Sequence, residues 1–380
     1  SMGEENTSFL IELLNDLEPK VRHTAIKTAI KKNNNEVIFA LIENLDNPLF
    51  SNQAMSALVL IGSKALNQLD NAFYRSGQNT QTLLKIIQII GRIGGQRAKD
   101  LLWNRIDYPD KVIGSQILLS LGECGFKAGI SQITRIKYAI EMDASDITWN
   151  LNAIQELGRD ENTKIVKTAL QREIQNDIDH IYMLLAMLYD TRSIQLVKEN
   201  IESGTTEGST YAVELLDVFL SEQLKQRVIP VLDDLSDSEK INRLEAFYPW
   251  IKLNEQLVLK FLINRDFTQS NRWTKAVVLH LIGTQRIQEF SLDLIAHLFN
   301  PDQLIREASA WALYQLDPAM YHSHAIRLGT EIKNQLDAVV LPNNNQSGLM
   351  ILEKVLFYRS QSVFEGVPAL ALSFLADISE

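Results

Sequence analysis

Hydrophobic residues recur at helical spacing along most of the chain, and short polar turns interrupt them. The clearest case begins at Phe299, where an apolar helix is predicted to end and Asn300-Pro301-Asp302 forms a turn. Pro301 has no N–H to continue that helix, and it disfavours the α conformation at Asn300. A second helix follows at once, because apolar residues again recur on one broad face: Leu304, Ile305, Ala308, Trp311, Ala312 and Leu316.

Comparable turns occur at regular intervals. Pro19 and Pro48 are about thirty positions apart, and Pro109 lies about two such intervals beyond Pro48. Gly77-Gln78-Asn79 supplies a turn that lacks proline. Weaker polar turns are predicted in the middle of the chain, near Asp143, Asn176, Glu207, Asp237 and Asp266.

A second marker is an aliphatic residue followed by glycine, which is predicted to close the second helix of several units. Glycine past a helix end adopts the left-handed conformation at little cost. The pairs are Ile61-Gly62, Ile93-Gly94, Leu121-Gly122, Leu157-Gly158 and Ile282-Gly283.

Together these signals predict an all-α fold, an α-solenoid (superhelix) of about ten helix pairs, with a short helical C-terminal extension. The length of 380 residues fits this fold, because each unit of a solenoid packs only on its neighbours. A hydrophobic content of 46% with nine prolines also fits helices joined by short loops.

The turn sequences resemble HEAT repeats, in particular the phycobilisome-lyase-like HEAT subgroup. The resemblance rests on Val21-Arg22 followed by Ala25, on Ile305-Arg306 followed by Ala308, and on the aliphatic-glycine closings. It covers residues 7–341. In such repeats an arginine after the turn tends to form a ladder between units. Only Arg22 and Arg306 match that position here, so the resemblance does not imply a continuous ladder.

The remaining residues are assigned to three other segments. Residues 1–6 are predicted to be a tag remnant and disordered start, and residues 342–348 a polar linker. Residues 349–380 resemble the helical lead-in of a cyclic nucleotide-binding domain: an amphipathic helix, then Val363-Phe364 and Val367-Pro368, then a Leu-rich helix. No nucleotide-binding residue is assigned, because the sequence ends at Glu380 before any β-roll.

Charge and cysteine content narrow the function further. The chain carries 37 basic and 47 acidic residues, a formal net charge of −10, and its basic residues are interleaved with acidic ones. A nucleic-acid binder of this size usually shows a basic stripe, so no nucleic-acid partner is predicted.

The one cysteine, Cys124, is interpreted as a small buried side chain in a reducing compartment. No apolar run approaches the ~18–20 residues that span a bilayer, so the chain is expected to be soluble.

No stretch carries a catalytic, cofactor or metal signature, and the chain is not predicted to be an enzyme. His322-Ser323-His324 lacks further ligands nearby, and a pair of histidines two apart on a helix diverges. Residues 233–239 lack the glycine of a calcium loop. Residues 91–95 follow a helix rather than a strand, which indicates a helix terminator rather than a phosphate loop.

The candidate site is a partner-binding face. Trp149, Trp273 and Trp311 each fall on the second helix of a unit, which lines the concave side of HEAT-like stacks, and Arg272 and Lys275 flank Trp273. Exposed to solvent, these five side chains would form an anchor strip for a protein. The alternative is that they fill the core between repeats. That alternative is favoured for Trp311 and stays open for Trp273.

HEAT repeats followed by such a lead-in resemble the soluble region of bacterial ATP/ADP antiporter-like transporters. The resemblance implies a non-catalytic cytoplasmic scaffold at the inner face of the membrane, between a membrane domain and a nucleotide sensor. It does not itself insert into the membrane, and its partners are proteins or neighbouring domains of the same chain. Two alternatives are a free-standing HEAT-repeat adaptor and a HEAT-like nucleic-acid-binding enzyme.

Overall fold

A computed structural model describes residues 2–75, 79–158 and 161–341. In these ranges every regular element is a helix and no β-strand occurs, which confirms the all-α prediction. The predicted linker (342–348) and helical lead-in (349–380) lie outside the described residues.

The chain divides into two units by its contacts. Unit 1 comprises Ser1–Tyr108 and Ile113–Gly129, and unit 2 comprises Pro109–Val112 and Ile130–Glu380. The first two residues of α8 therefore belong to unit 2 and the remainder to unit 1.

The helices of unit 1 contact mainly the next one or two helices along the chain; α3, for example, contacts α1, α2, α4 and α5. This pattern is typical of helix pairs placed one after another. The helices are α1 (Met2–Leu14), α2 (Pro19–Ala29), α3 (Asn35–Glu43), α4 (Ser51–Ile61), α5 (Leu66–Phe73), α6 (Thr80–Ile93), α7 (Gly95–Trp103) and α8 (Lys111–Glu123).

Helix α1 begins at Met2, so it includes residues 2–6 of the segment assigned to the start of the chain.

Unit 2 is built on two long antiparallel helices, α9 (Ile130–Glu156) and α10 (Lys164–Leu188), of 27 and 25 residues. Helix α9 also contacts α13, α14 and α15, and α10 contacts α11 and α16. The later helices are α11 (Thr191–Glu202), α12 (Thr206–Phe219), α13 (Glu222–Leu232), α14 (Asp237–Leu244), α15 (Glu255–Asn264), α16 (Arg272–Gln285), α17 (Ser291–Leu298), α18 (Gln303–Leu316), α19 (Pro318–Ala325) and α20 (Thr330–Val340).

Two of the predicted turns are wrong. Asp143 lies inside α9 and Asn176 inside α10, and both side chains are buried. Their polar character, which indicated turns, instead belongs to helix faces that pack inside unit 2. The turns near Glu207, Asp237 and Asp266 are confirmed, because each lies at or beside a break between helices.

The strongest turn signals are confirmed in detail. The Asp302 side chain accepts a hydrogen bond from the backbone N–H of Ile305, which caps the start of α18. Gly62, Gly94 and Gly158 have positive φ angles and follow helix ends as predicted. Gly122 and Gly283, by contrast, lie inside α8 and α16, and Arg286 takes the left-handed position that ends α16.

Gly283 is needed for close packing rather than for a cap. A Cβ atom at this position would lie 2.7 Å from the Cα atom of Ala312 and 2.7 Å from the ring of Trp311. Helices α16 and α18 can therefore approach each other closely only because residue 283 has no side chain.

We expect Gly283→Ala to lower the free energy of unfolding by about 1–3 kcal/mol, because the added methyl group overlaps the backbone of α18. Gly114→Ala is the matched control, since a Cβ atom there meets no atom within 4 Å. The control should stabilise the protein by up to about 1 kcal/mol through helix propensity. Urea unfolding of both variants tests the pair, and equal effects would contradict close packing at Gly283.

Candidate functional site

Three residues of the predicted strip are buried in the protein. Trp273, Lys275 and Trp311 are 8%, 4% and 4% exposed, so they do not meet the condition of solvent exposure. The Trp311 ring stacks on the ring of His280, with centroids 4.7 Å apart. Burial follows from their position on α16 and α18, whose apolar faces pack on each other.

The ammonium group of Lys275 donates hydrogen bonds to backbone carbonyl groups. Its Nζ donates to the carbonyl oxygen of Ile263, at 3.0 Å, and to that of Arg265. These carbonyls lie at the C-terminal end of α15, where helix carbonyls lack intrahelical partners. Burial lowers the pKa of Lys275 to about 8.

Arg272, at the first position of α16, pairs with carboxylates from two other segments. Its Nη2 lies 2.6 Å from Asp110 Oδ2, and its Nε lies 3.2 Å from Asp302 Oδ2. The guanidinium therefore joins elements of unit 2.

Trp149 is half-buried, as Arg272 is, and it forms part of an aromatic cluster. Its half-buried ring lies 5.8 Å from the ring of Trp250 and 6.5 Å from that of Phe261, between centroids. The Arg265 guanidinium lies 4.0 Å above the Trp149 ring, a cation–π contact. The indole N–H of Trp250 donates to Glu156 at 3.4 Å.

The outer side of this cluster is apolar. Phe261 is 48% exposed, and Leu257, one turn earlier on α15, is 42% exposed. We refer to Trp149, Trp250, Leu257 and Phe261 as the Trp149 patch. Exposed aromatic and aliphatic side chains grouped in this way are typical of protein-binding surfaces.

Directly behind the patch, the facing sides of α9 and α10 carry polar residues at helical spacing, most of them buried. These residues, together with two basic side chains from other segments, form what we call the polar centre. Its members are Asp143, Asp146 and Asn150 of α9, Glu173, Asn176, Asp177 and His180 of α10, and Lys111 and Arg265.

Ion pairs connect most of the charged members. Lys111 Nζ lies 2.6 Å from Asp177 Oδ1 and 3.4 Å from Asp146 Oδ2. Arg265 Nη2 donates to Asp146 Oδ1 at 2.8 Å. Asp143 Oδ2 lies 2.6 Å from Nδ1 of His180, which joins α9 to α10 directly.

Glu173 connects α10 to the start of α16. One of its carboxyl oxygens accepts from the backbone N–H of Asn271 and from the hydroxyl group of Thr274, both at 2.8 Å. A carboxylate is favoured at this place, because the first N–H groups of a helix lack partners and carry a partial positive charge.

Burial changes the proton affinity of the centre. It raises the pKa of Asp146 and raises the pKa of Asp177 well above its usual value, although Lys111 opposes both shifts. Burial alone would lower the pKa of Lys111, but the carboxylates of Asp177, Asp146 and their neighbours raise it above its ordinary value. The lysine is therefore a fixed positive charge.

The polar centre was not predicted from the sequence. A signal was present, because Asp143, Asp146 and Asn150 follow the spacing i, i+3, i+7, and the α10 members follow i, i+3, i+4, i+7. The same spacing also describes an exposed helix face, so it does not distinguish burial from exposure.

Two kinds of feature are absent from the described ranges. These ranges contain no group of three or more His, Cys, Asp or Glu side chains arranged to hold a metal ion, and His322 and His324 belong to no such group. No helix within them combines the length and apolar character needed to cross a bilayer.

Comparison with known proteins gave no match, either to a protein-family model or to a curated protein.

We expect Lys275→Met to lower the free energy of unfolding by about 2 kcal/mol at neutral pH, because two carbonyl groups lose their donor. The pH dependence should also change. The folded-state pKa is about 8 and the ordinary value 10.5, so the wild-type protein gains stability as pH rises between them. The variant should lack that gain. Denaturant unfolding at several pH values tests this prediction, and Lys252→Met is the control because Lys252 is exposed. If the two variants showed the same pH dependence of stability, the role of Lys275 as a buried donor to these carbonyls would be contradicted.

Proposed function

We propose that this chain is a non-catalytic helical scaffold, and that a partner protein docks on unit 2 at the Trp149 patch. The observation that carries the proposal is the exposed aromatic and aliphatic surface formed by α9, α15 and Trp250. Phe261 and Leu257 are each more than two-fifths exposed and lie one turn apart on α15.

The patch has the properties of a binding anchor. Large aromatic side chains supply most of the affinity of protein interfaces, and they do so best when they are held in place before binding. The Trp149 ring is held by the Arg265 guanidinium on one face and by the edge-on ring of Trp250. Little conformational entropy is therefore lost when a partner covers it.

A nucleic-acid partner is less well supported. Lys111 and Arg265 of the polar centre and the neighbouring Arg272 each pair with a carboxylate of unit 2. Such paired groups release few counterions to a phosphate backbone. The formal net charge of −10 acts in the same direction.

The finer part of the proposal rests on the sequence resemblance. We propose that the helices form a HEAT-like α-solenoid, and that the chain is the cytoplasmic segment of a bacterial ATP/ADP antiporter-like protein, placed between its membrane domain and a cyclic nucleotide sensor. On this hypothesis the partner at the Trp149 patch is a neighbouring domain of the same protein. The coding sequence on either side of these 380 residues tests it: hydrophobic spans upstream and a β-roll downstream are expected.

The docking proposal predicts a crosslink from the patch. A photoreactive phenylalanine analogue at position 261, in the full-length protein in its native cells, should capture one defined protein or domain. The same group at position 218 should not, although Val218 is 84% exposed on α12.

Leu257→Glu supplies the second control. It adds a charge to the patch at an exposed position, so it should abolish the crosslink from position 261 without changing the helical circular dichroism. Identical products from positions 261 and 218, or a crosslink unaffected by Leu257→Glu, would contradict docking at the patch.

A further inference from the structure

Two carboxyl groups of the polar centre have hydrogen-bond partners at only one of their two oxygens. Glu173 and Asp177 lie one turn apart on α10 and are 1% and 2% exposed. One oxygen of Glu173 accepts from Asn271 and Thr274, and one oxygen of Asp177 accepts from Lys111. Among the described residues, Glu173 Oε2 and Asp177 Oδ2 have no hydrogen-bond partner, although both atoms are buried.

This arrangement is costly while both groups are charged. Residues four apart on a helix are neighbours, with Cβ atoms about 5–6 Å apart. Like charges at that spacing repel, and burial removes the water that would screen them. Each buried oxygen without a partner adds a desolvation cost.

The surrounding charges leave an excess of negative charge. The groups that face the pair from the packed elements are Lys111 of α8, Asp143 and Asp146 of α9, His180 of α10, Arg265 before α16 and Lys275 of α16. Asp110 and Arg272 lie beside this set and pair with each other. The set holds four carboxylates, Asp143, Asp146, Glu173 and Asp177, against the three cations Lys111, Arg265 and Lys275, and Asp143 bonds to His180.

We infer that Glu173 and Asp177 share one proton in the folded protein near neutral pH, and that this proton holds α10 to Lys111 and to the start of α16. The proton comes from solvent and binds Asp177 Oδ2. The resulting O–H donates to Glu173 Oε2, so both unpartnered oxygens are satisfied at once. The other two oxygens keep their present partners.

The properties of Asp177 support this placement of the proton. Burial is the largest influence on its pKa and raises it well above the ordinary 3.8, and the neighbouring carboxylates of Asp143, Asp146 and Glu173 raise it further. Glu173 keeps both hydrogen bonds to its first oxygen when the proton binds Asp177.

The shared proton makes the packing of α10 sensitive to pH. The folded-state pKa of Asp177 lies above its unfolded value of 3.8, so its contribution to stability is complete below that value. The contribution is lost as pH rises through the raised folded-state pKa, because two adjacent buried charges then remain. The pair therefore favours the folded state in mild acid.

The test uses Asp177→Asn. An asparagine reproduces the protonated form, because its Oδ1 can still accept from Lys111 and its Nδ2 can donate to Glu173 Oε2. Asp179→Asn is the matched control. Asp179 is also buried on α10, pairs with Lys198 at 2.7 Å and has no partner for its Oδ2. Unlike Asp177, it has no carboxyl group one turn away on α10.

The first readout is the urea midpoint between about pH 5 and pH 9. The wild-type protein and Asp179→Asn should lose stability as pH rises through the pKa of the pair, and Asp177→Asn should not. Burial lowers the pKa of Lys275 to about 8 and also lowers the pKa of His297, but both residues are present in all variants, so the comparison is made on the differences between variants.

The second readout is infrared absorption of protonated carboxyl groups in the folded protein. The wild-type protein and Asp179→Asn should show the band and Asp177→Asn should have lost it. Glu173→Gln, whose amide can donate to Asp177, should also lose the pH dependence, and it replaces Asp177→Asn if that variant does not fold.

Three results would overturn the inference. These are a wild-type protein without a protonated carboxyl band, identical pH dependence in Asp177→Asn and Asp179→Asn, or a urea midpoint that responds to added potassium, sodium or calcium ions instead of pH.

Discussion

Unit 2 depends on the burial of polar helix faces against each other. Helices α9 and α10 meet through Asp143, Asp146, Asp177 and their neighbours, where two helices of this length normally meet through aliphatic side chains. Removing these charges from water costs several kcal/mol for each ion. The cost is offset only when every charge has a partner, so the position of Lys111 and of the segments that carry Arg265 and Asn271 is fixed by the centre.

The pairing of buried charges also affects a residue at the surface, because Arg265 contacts both the polar centre and the Trp149 patch. Arg265 donates to Asp146 through one nitrogen, and its guanidinium also covers the ring of Trp149. Trp149 is three residues after Asp146 on α9, so one helix supplies both contacts. A change in the charge of the polar centre would therefore act on Arg265, which also orients the ring of Trp149 in the exposed patch.

The sequence predicted the parts of this fold that depend on local chemistry. The turn at Asn300-Pro301-Asp302 and the helix end at Gly62 are set by residues within a few positions of each other. Asp143 and Asn176 were interpreted as turns because polar residues end helices far more often than they fill cores. Their burial depends on Lys111 and Arg265, distant in sequence, and no local pattern contains that information. Trp149 was included in the candidate partner-binding face, but its neighbour Trp250 was not.

The polar centre also determines how α9 and α10 align. Two apolar faces of 27- and 25-residue helices would tolerate a shift by one turn, since one aliphatic side chain replaces another at little cost. Here such a shift would separate Asp143 from His180 and withdraw Glu173 from the start of α16. Each would leave a buried charge unpaired, at about 3–5 kcal/mol. The polar centre thus exchanges some stability for a single alignment of α9 and α10.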